Sequence, residues 1–311
     1  DTVPWEGQAW THDPLGATVA GGRLYGRGSA DMKSYIGAVV AQTRHWQEAD
    51  LPFALHYSFS YDEEVGAFGA RRLLADLADL RKAGRMPCLC IVWDPTEMVP
   101  AVAHKGVYRW RCSVRGKAAH SSLTPQAVNA VEAAARVIAR IAGIGDELRE
   151  RGPRQAGFDV PYTTAAVCVV AGGIADNVVP EDCRFHYEFR NLPGEDAEAL
   201  HARVVEKARA FEPGVFLEDL LAGARALEPA MKAVDPGTGI RFESITEMPA
   251  FRAAPGEPAV ALALRLAGAT RTTNVAFGTE AGLFQRAGLS TVVCGPGSIG
   301  QAHQADEFVS L

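Results

Sequence analysis

A chain of 311 residues, 48% hydrophobic and 22% charged, is long enough for one large or two ordinary domains with a substantial core. Its 31 basic and 37 acidic residues leave a net charge of −6 without a basic tract, which argues against nucleic acid and anionic membranes as partners. No apolar run reaches the roughly 20 residues of a membrane span.

The chain opens at Asp1, without methionine and as if in the middle of a loop, so residues are expected upstream. Asp1 to Gly22, rich in Trp, Gly and Pro, reads as loop. RLYGRGSAD (Arg23 to Asp31) follows, and then Met32, Tyr35, Ile36, Val39, Val40 and Thr43 recur at helical spacing. Lys33-Ser34 after a glycine-rich turn superficially suggests a phosphate-binding loop, but Met32 stands where that motif needs glycine. Phe53, Leu55, Tyr57 and Phe59 alternate and predict a strand running into Asp62-Glu63-Glu64, with a helix over Ala67 to Leu80. Neighbouring carboxylates leaving the carboxyl end of a strand lie where open α/β sheets place their sites. Pro87 to Trp93 predicts a strand buried on both faces of a parallel sheet, ending at Asp94.

From Gly106 the texture changes. Val107 to Val114 alternates as a half-exposed strand, Ala127 to Ile141 reads as helix, and strands follow at Thr164 to Val170 and Cys183 to Phe189. A helix at Glu195 to Ala210, an amphipathic stretch near Leu217 to Val234 and a strand at Ile240 to Ile245 complete a β-α-β-β-α-β order. That order predicts a split βαβ (ferredoxin-like) sandwich inserted into the main domain. Helix resumes at Pro258 to Leu266, and a strand at Thr272 to Phe277, a helix at Glu280 to Ala287 and a buried strand at Leu289 to Cys294 complete the pattern. The six cysteines (88, 90, 112, 168, 183, 294) lie mostly in apolar runs, the pattern of buried thiols in a reducing cytoplasm. The fold class is therefore α/β, with residues 1–106 and 249–311 forming a mixed-sheet main domain and 107–248 the insert.

Asp31, Glu63-Glu64, Asp94 and His303 each fall where a strand or its loop ends at one edge of the sheet. Carboxylates with an imidazole are a ligand set suited to zinc, and several carboxylates converging without a cation would repel one another. GRLYGRGSADMK, SFSYDEEVGAFGA, the DPT at Asp94, AHKG, GKAAHSS, ADNVVPEDC and GPGSIGQAHQADEFVSL together resemble the zinc-dependent aminoacylase, carboxypeptidase and desuccinylase family. GTEA at Gly278 to Ala281 and the GPGSIGQAH run most resemble its acetylornithine deacetylase branch.

The resemblance implies a zinc-peptidase-like catalytic domain, an inserted dimerisation lid, and a cytoplasmic homodimer. It implies two Zn2+ ions per subunit in the complete enzyme, with Co2+ as a substitute, and a small N-acyl amino acid as substrate. Asp31 matches the bridging carboxylate, Glu64 and His303 the other ligands of one zinc, and Asp94 a ligand of the second, where this branch more often has glutamate. Glu63 matches the general base. His120 matches a histidine that reaches the partner's active site to stabilise the oxyanion, Asn177 and Arg190 match residues binding the substrate carboxylate, and Thr279 matches a substrate-contacting position. Asp1 matches the aspartate of a His-x-Asp pair that orients a zinc-binding histidine. That histidine is not in this sequence, and His12 falls in the following loop. The expected reaction is hydrolysis of N-acetylornithine to ornithine and acetate. Alternatives are a desuccinylase, an aminoacylase or a glutamate-releasing carboxypeptidase, and, from a different class, a non-catalytic relative or inactive fragment.

Overall fold

The computed structural model describes residues 2–209 and 227–311. Asp1, expected to orient a ligand, and the first part of the amphipathic stretch from Leu217 lie outside them. The chain divides into two units, Asp1–Lys105 with Met248–Leu311, and Gly106–Glu247.

The first unit opens with β1 (Thr18–Ala20) and β2 (Arg23–Tyr25), followed by α1 (Ser34–Glu48), α2 (Phe68–Lys82), β3 (Leu89–Val92) and β4 (Ala101–His104). The second unit contains β5 (Val107–Arg115), α3 (Ala130–Arg151), β6 (Thr164–Gly172), β7 (Asp182–Arg190), α4 (Ala197–Arg209), α5 (Leu227–Val234) and β8 (Gly239–Met248). The chain then returns to the first unit through β9 (Phe251–Arg252), α6 (Pro258–Ala267), β10 (Thr273–Val275), α7 (Ala281–Arg286), β11 (Ser290–Val293) and β12 (Phe308–Ser310).

The first unit holds a mixed sheet in the order β10-β4-β11-β3, with β9 beside β4. Here β3 and β11 run parallel, Leu89 opposite Ser290 through Val92 opposite Val293, and β11 meets β4 antiparallel. Ala259 and Ala263 of α6 pack against Val292 of β11 and the adjoining Cys294, which gives this sheet its core on one face. A smaller antiparallel sheet, β1-β2-β12, brings the end of the chain onto its beginning.

The second unit is a four-stranded sheet in the order β6-β7-β5-β8, the split βαβ arrangement that the order of elements predicted. On β7, Cys183, Phe185, Tyr187 and Phe189 are buried while Arg184, His186, Glu188 and Arg190 face the other way. Against the buried face lie Ala130, Ala134, Val137, Ile141, Ile144 and Leu148 of α3, spaced to form one stripe. Asn129 starts α3 by accepting hydrogen bonds from the Val131 and Glu132 amides. The stripe continues past Ile141, which is why α3 runs ten residues beyond the stretch expected from the sequence, to Arg151.

Three expectations are corrected. Phe53 to Phe59 is not a strand, because no strand among the described residues pairs with it. Its Phe53, Leu55, Tyr57 and Phe59 side chains are all exposed. Next, β3 is shorter than Pro87–Trp93 and only half-buried, since it is the end strand of its sheet. Finally, the cysteines are all free, but Cys88 and Cys168 are exposed. Among the described residues no helix is long and apolar enough to cross a membrane.

Candidate metal centre

Three side chains of the first unit converge on one point. Asp31 lies in the turn between β2 and α1, Glu64 in the turn before α2, and His303 in the loop between β11 and β12. His303 Nε2 is 3.4 Å from Asp31 Oδ2 and 3.1 Å from Glu64 Oε1. One ligand atom from each of the three residues lies within 4.8 Å of the others, and among the described residues this is the group with metal-binding spacing.

Local folding explains the placement. The segment before α2 turns sharply, with the Ala67 amide donating to Asp62 O and the Gly66 amide to Glu63 O. Gly69 lets α2 lie directly on Tyr61, because a Cβ there would come within 2.4 Å of both backbone N and O of Tyr61. Glu63 and Glu64 lie in the turn between Tyr61 and α2. Asp94 follows the end of β3, where the Cys294 amide donates to Val92 O and the backbone of Gly295 presses against Asp94. A Cβ on Gly295 would meet Asp94 O at 2.6 Å.

Asp94 does not join the close triad, yet it shares the same electrostatic neighbourhood. Its carboxyl is pushed well above the usual range, first by burial and then by the charges of Glu63, Asp31, Glu280 and Glu64. Glu63 is raised to about 8 by burial and by Glu64, Glu280 and Asp31. Hydrogen bonding to Asp31 and Glu64 raises His303 to about 10. One acidic member had no role assigned from the sequence: Glu280, preceding α7, accepts the Ser60 hydroxyl at 2.9 Å on Oε2. Its Oε1 is buried with no hydrogen-bond partner among the described residues. The adjoining acidic position in GTEA was the available signal.

This donor set fits a divalent cation. Two carboxylates and an imidazole face one point, further carboxylates crowd behind them, and a buried carboxylate oxygen lacks a donor. A cation would relieve their mutual repulsion.

Of the remaining sequence candidates, Thr279 lies in the first unit and His120, Asn177 and Arg190 in the second. His120 and Asn177 are neighbours in the second unit: His120 bridges to Val178, and the Ser121 amide donates to Asn177 O. The exposed His120 ring has Nδ1 2.8 Å from Ser122 Oγ. Arg190 is engaged, donating from Nε and Nη2 to both oxygens of Glu188, which also receives Arg109. Thr279 is fully buried and accepts the Ala281 amide, so its hydroxyl serves the start of α7 and offers no open surface.

The pKa directions predict how metal-free protein responds to pH. A raised His303 contributes stability that is complete below 6.5 and is lost as pH climbs through about 10. A raised Glu63 has the same sign: the folded state holds its proton between 4.5 and about 8, so rising pH opposes the fold. The melting temperature of chelator-treated protein should therefore fall steadily from pH 6.5 to pH 10 in calorimetry. A flat or rising profile would contradict the geometry of the His303 contacts.

Residues 102–215 match the peptidase dimerisation domain family. The fold is shared with solved structures of low sequence identity. Aminopeptidase PepT of Bacillus cereus is 22% identical over 94% of this chain and 70% of its own length, with a TM-score of 0.62. The M20 family metallo-carboxypeptidase Sso-CP2 of Sulfolobus solfataricus is 16% identical over 100% of this chain and 79% of its own, at 0.71. Human carnosine dipeptidase 1 is 16% identical over 100% and 75%, at 0.63.

Proposed function

We propose that this chain belongs to a metal-dependent amide hydrolase of the zinc-dependent aminoacylase, carboxypeptidase and desuccinylase family. The observation that carries this reading is the convergence of Asp31, Glu64 and His303 beside Glu63. Those three residues would hold the ion, and Asp94 would serve a second. When bound, a zinc ion lowers the pKa of water and polarises an amide carbonyl. Glu63 takes the proton of the attacking water and passes it to the departing nitrogen. A carboxylate beside the ion is the residue type suited to that exchange. Arg190 with Asn177 receives the substrate carboxylate, Arg190 trading its fork on Glu188 for the ligand. His120 supports the oxyanion from the partner subunit.

The finer assignment is N-acetylornithine deacetylation, supported by the likeness of GTEA and GPGSIGQAH to that branch. The names of the structural neighbours supply the competitor, short peptides. Turnover of N-acetylornithine, N-succinyl-diaminopimelate, other N-acyl amino acids and dipeptides by zinc-loaded protein separates these readings. The highest kcat/KM is expected on N-acetylornithine. A preference for dipeptides overturns the finer assignment, and no turnover with metal bound overturns the hydrolase.

The match to a dimerisation domain supports a homodimer, and β6 is the strand suited to form it. It is the end strand of its sheet, and the segment from Thr164 to Ile174 carries no charge. Val169, Val170 and Ile174 are exposed on it. An unprotected edge of this kind pairs with another strand, and across a two-fold axis one substitution acts on both copies. Val170→Asp should convert dimer to monomer in light scattering while leaving the circular dichroism native. A dimer that survives unchanged would move the interface elsewhere.

A further inference from the structure

Four residues beyond His303, Glu307 is only 1% exposed, and its carboxylate receives four donors from a single stretch of chain. Oε2 accepts from Arg27 Nη1 at 2.7 Å and the Gly28 amide at 3.1 Å. Oε1 accepts from the Ala30 amide at 2.9 Å and the Asp31 amide at 3.0 Å. In addition, the Gly26 amide donates to Glu307 O at 2.9 Å. The guanidinium is fixed in turn: Arg27 donates to Gln304 O and to Gln8 Oε1, and it lies over the Trp10 ring.

We infer that Glu307 is a positioning residue for the metal centre, fastening the Gly26–Asp31 turn to the segment that follows His303 so that the two ligands meet. This rests on the metal reading of Asp31, Glu64 and His303. Three features set it apart from an ordinary buried ion pair. Most of the bonds go to backbone amides, so they fix the path of the chain leading into Asp31 and not merely a side chain. The last of those amides belongs to the ligand itself. On the other side, Glu307 adjoins β12, whose Phe308 pairs with Tyr25 of β2, so the anchor joins two segments already in register. A carboxylate is required because both oxygens must accept: glutamine would turn a donor toward an amide or the guanidinium.

The test is Glu307→Gln in the full chain, studied below its melting temperature with native circular dichroism. Cobalt titration followed by visible absorption is the first readout, and amide exchange at Gly28, Ala30 and Asp31 the second. Cobalt binding should weaken by about 10–100-fold, the range for losing a partner that orients a ligand, with an altered absorption band and faster exchange at the three amides. A variant that merely melts earlier, with cobalt affinity, band shape and exchange as in the wild type, overturns the inference. If the wild type itself takes up no cobalt, the metal reading fails. The exchange measurement then decides the anchoring by itself, and amides as slow in the variant as in the wild type overturn it. Should the glutamine variant not fold, Glu307→Asp, which keeps the charge and withdraws it by one methylene, is read in the same way.

Discussion

Glu63→Gln is expected to lower turnover of the best substrate by about 10²–10⁴-fold, the usual worth of a general base, while leaving metal content as in the wild type. The two halves of this result are separable because Glu63 stands beside the converging triad and is not one of its three members. Glutamine preserves size but cannot take a proton. It also removes one of the charges that raise Asp94, so the metal-free variant should not be less stable than the wild type at alkaline pH. Turnover within tenfold of the wild type would remove Glu63 from the mechanism and direct attention to the neighbouring Glu280.

The second large effect concerns the metal itself. His303→Ala should abolish stoichiometric zinc after dialysis against metal-free buffer. The loss should exceed the roughly 10–100-fold penalty for disturbing an outer partner, because the nitrogen ligand itself is removed. The ring is about half exposed, with a side-chain exposure of 47%, so its removal leaves little cavity and the variant should fold. The same variant should also lose the fall in melting temperature that His303 contributes between pH 6.5 and 10. Retention of wild-type zinc would mean that the ion binds through other groups, and the convergence around Asp31 and Glu64 would then need a different purpose.

Patterns read along the chain located the second unit well, because its elements are long and each has one buried face. Phe185, Tyr187 and Phe189 alternate with polar residues, and the stripe of α3 repeats over about five turns; both periodicities are local properties. The Phe53 stretch carries an equally clean alternation and is not a strand. Alternation states a capacity for pairing, and pairing depends on a neighbour that the stretch itself does not encode. Short elements such as β4 and β12 were missed for a related reason: three or four residues carry too little periodicity to register. Asp31, Glu64 and His303 were legible through motif likeness, since 239 residues separate Glu64 from His303. Glu280 and Glu307 remained unassigned because an acidic residue looks solvated until distant segments close over it. For Glu307 those segments lie 276 to 280 residues away.

The exposed run from Phe53 to Tyr61 has a practical consequence for anyone handling the protein. It contains no charged residue and no proline, and five of its large side chains, Phe53, Leu55, Tyr57, Phe59 and Tyr61, are presented to water. Segments of that composition stack readily into cross-β assemblies, and no charge within the run acts as a gatekeeper. Concentrated solutions of this chain should scatter light and bind hydrophobic dyes before they lose secondary structure, with colloidal failure preceding unfolding. A lysine in place of Phe59 would be the first change to make for a sample that must stay clear at high concentration.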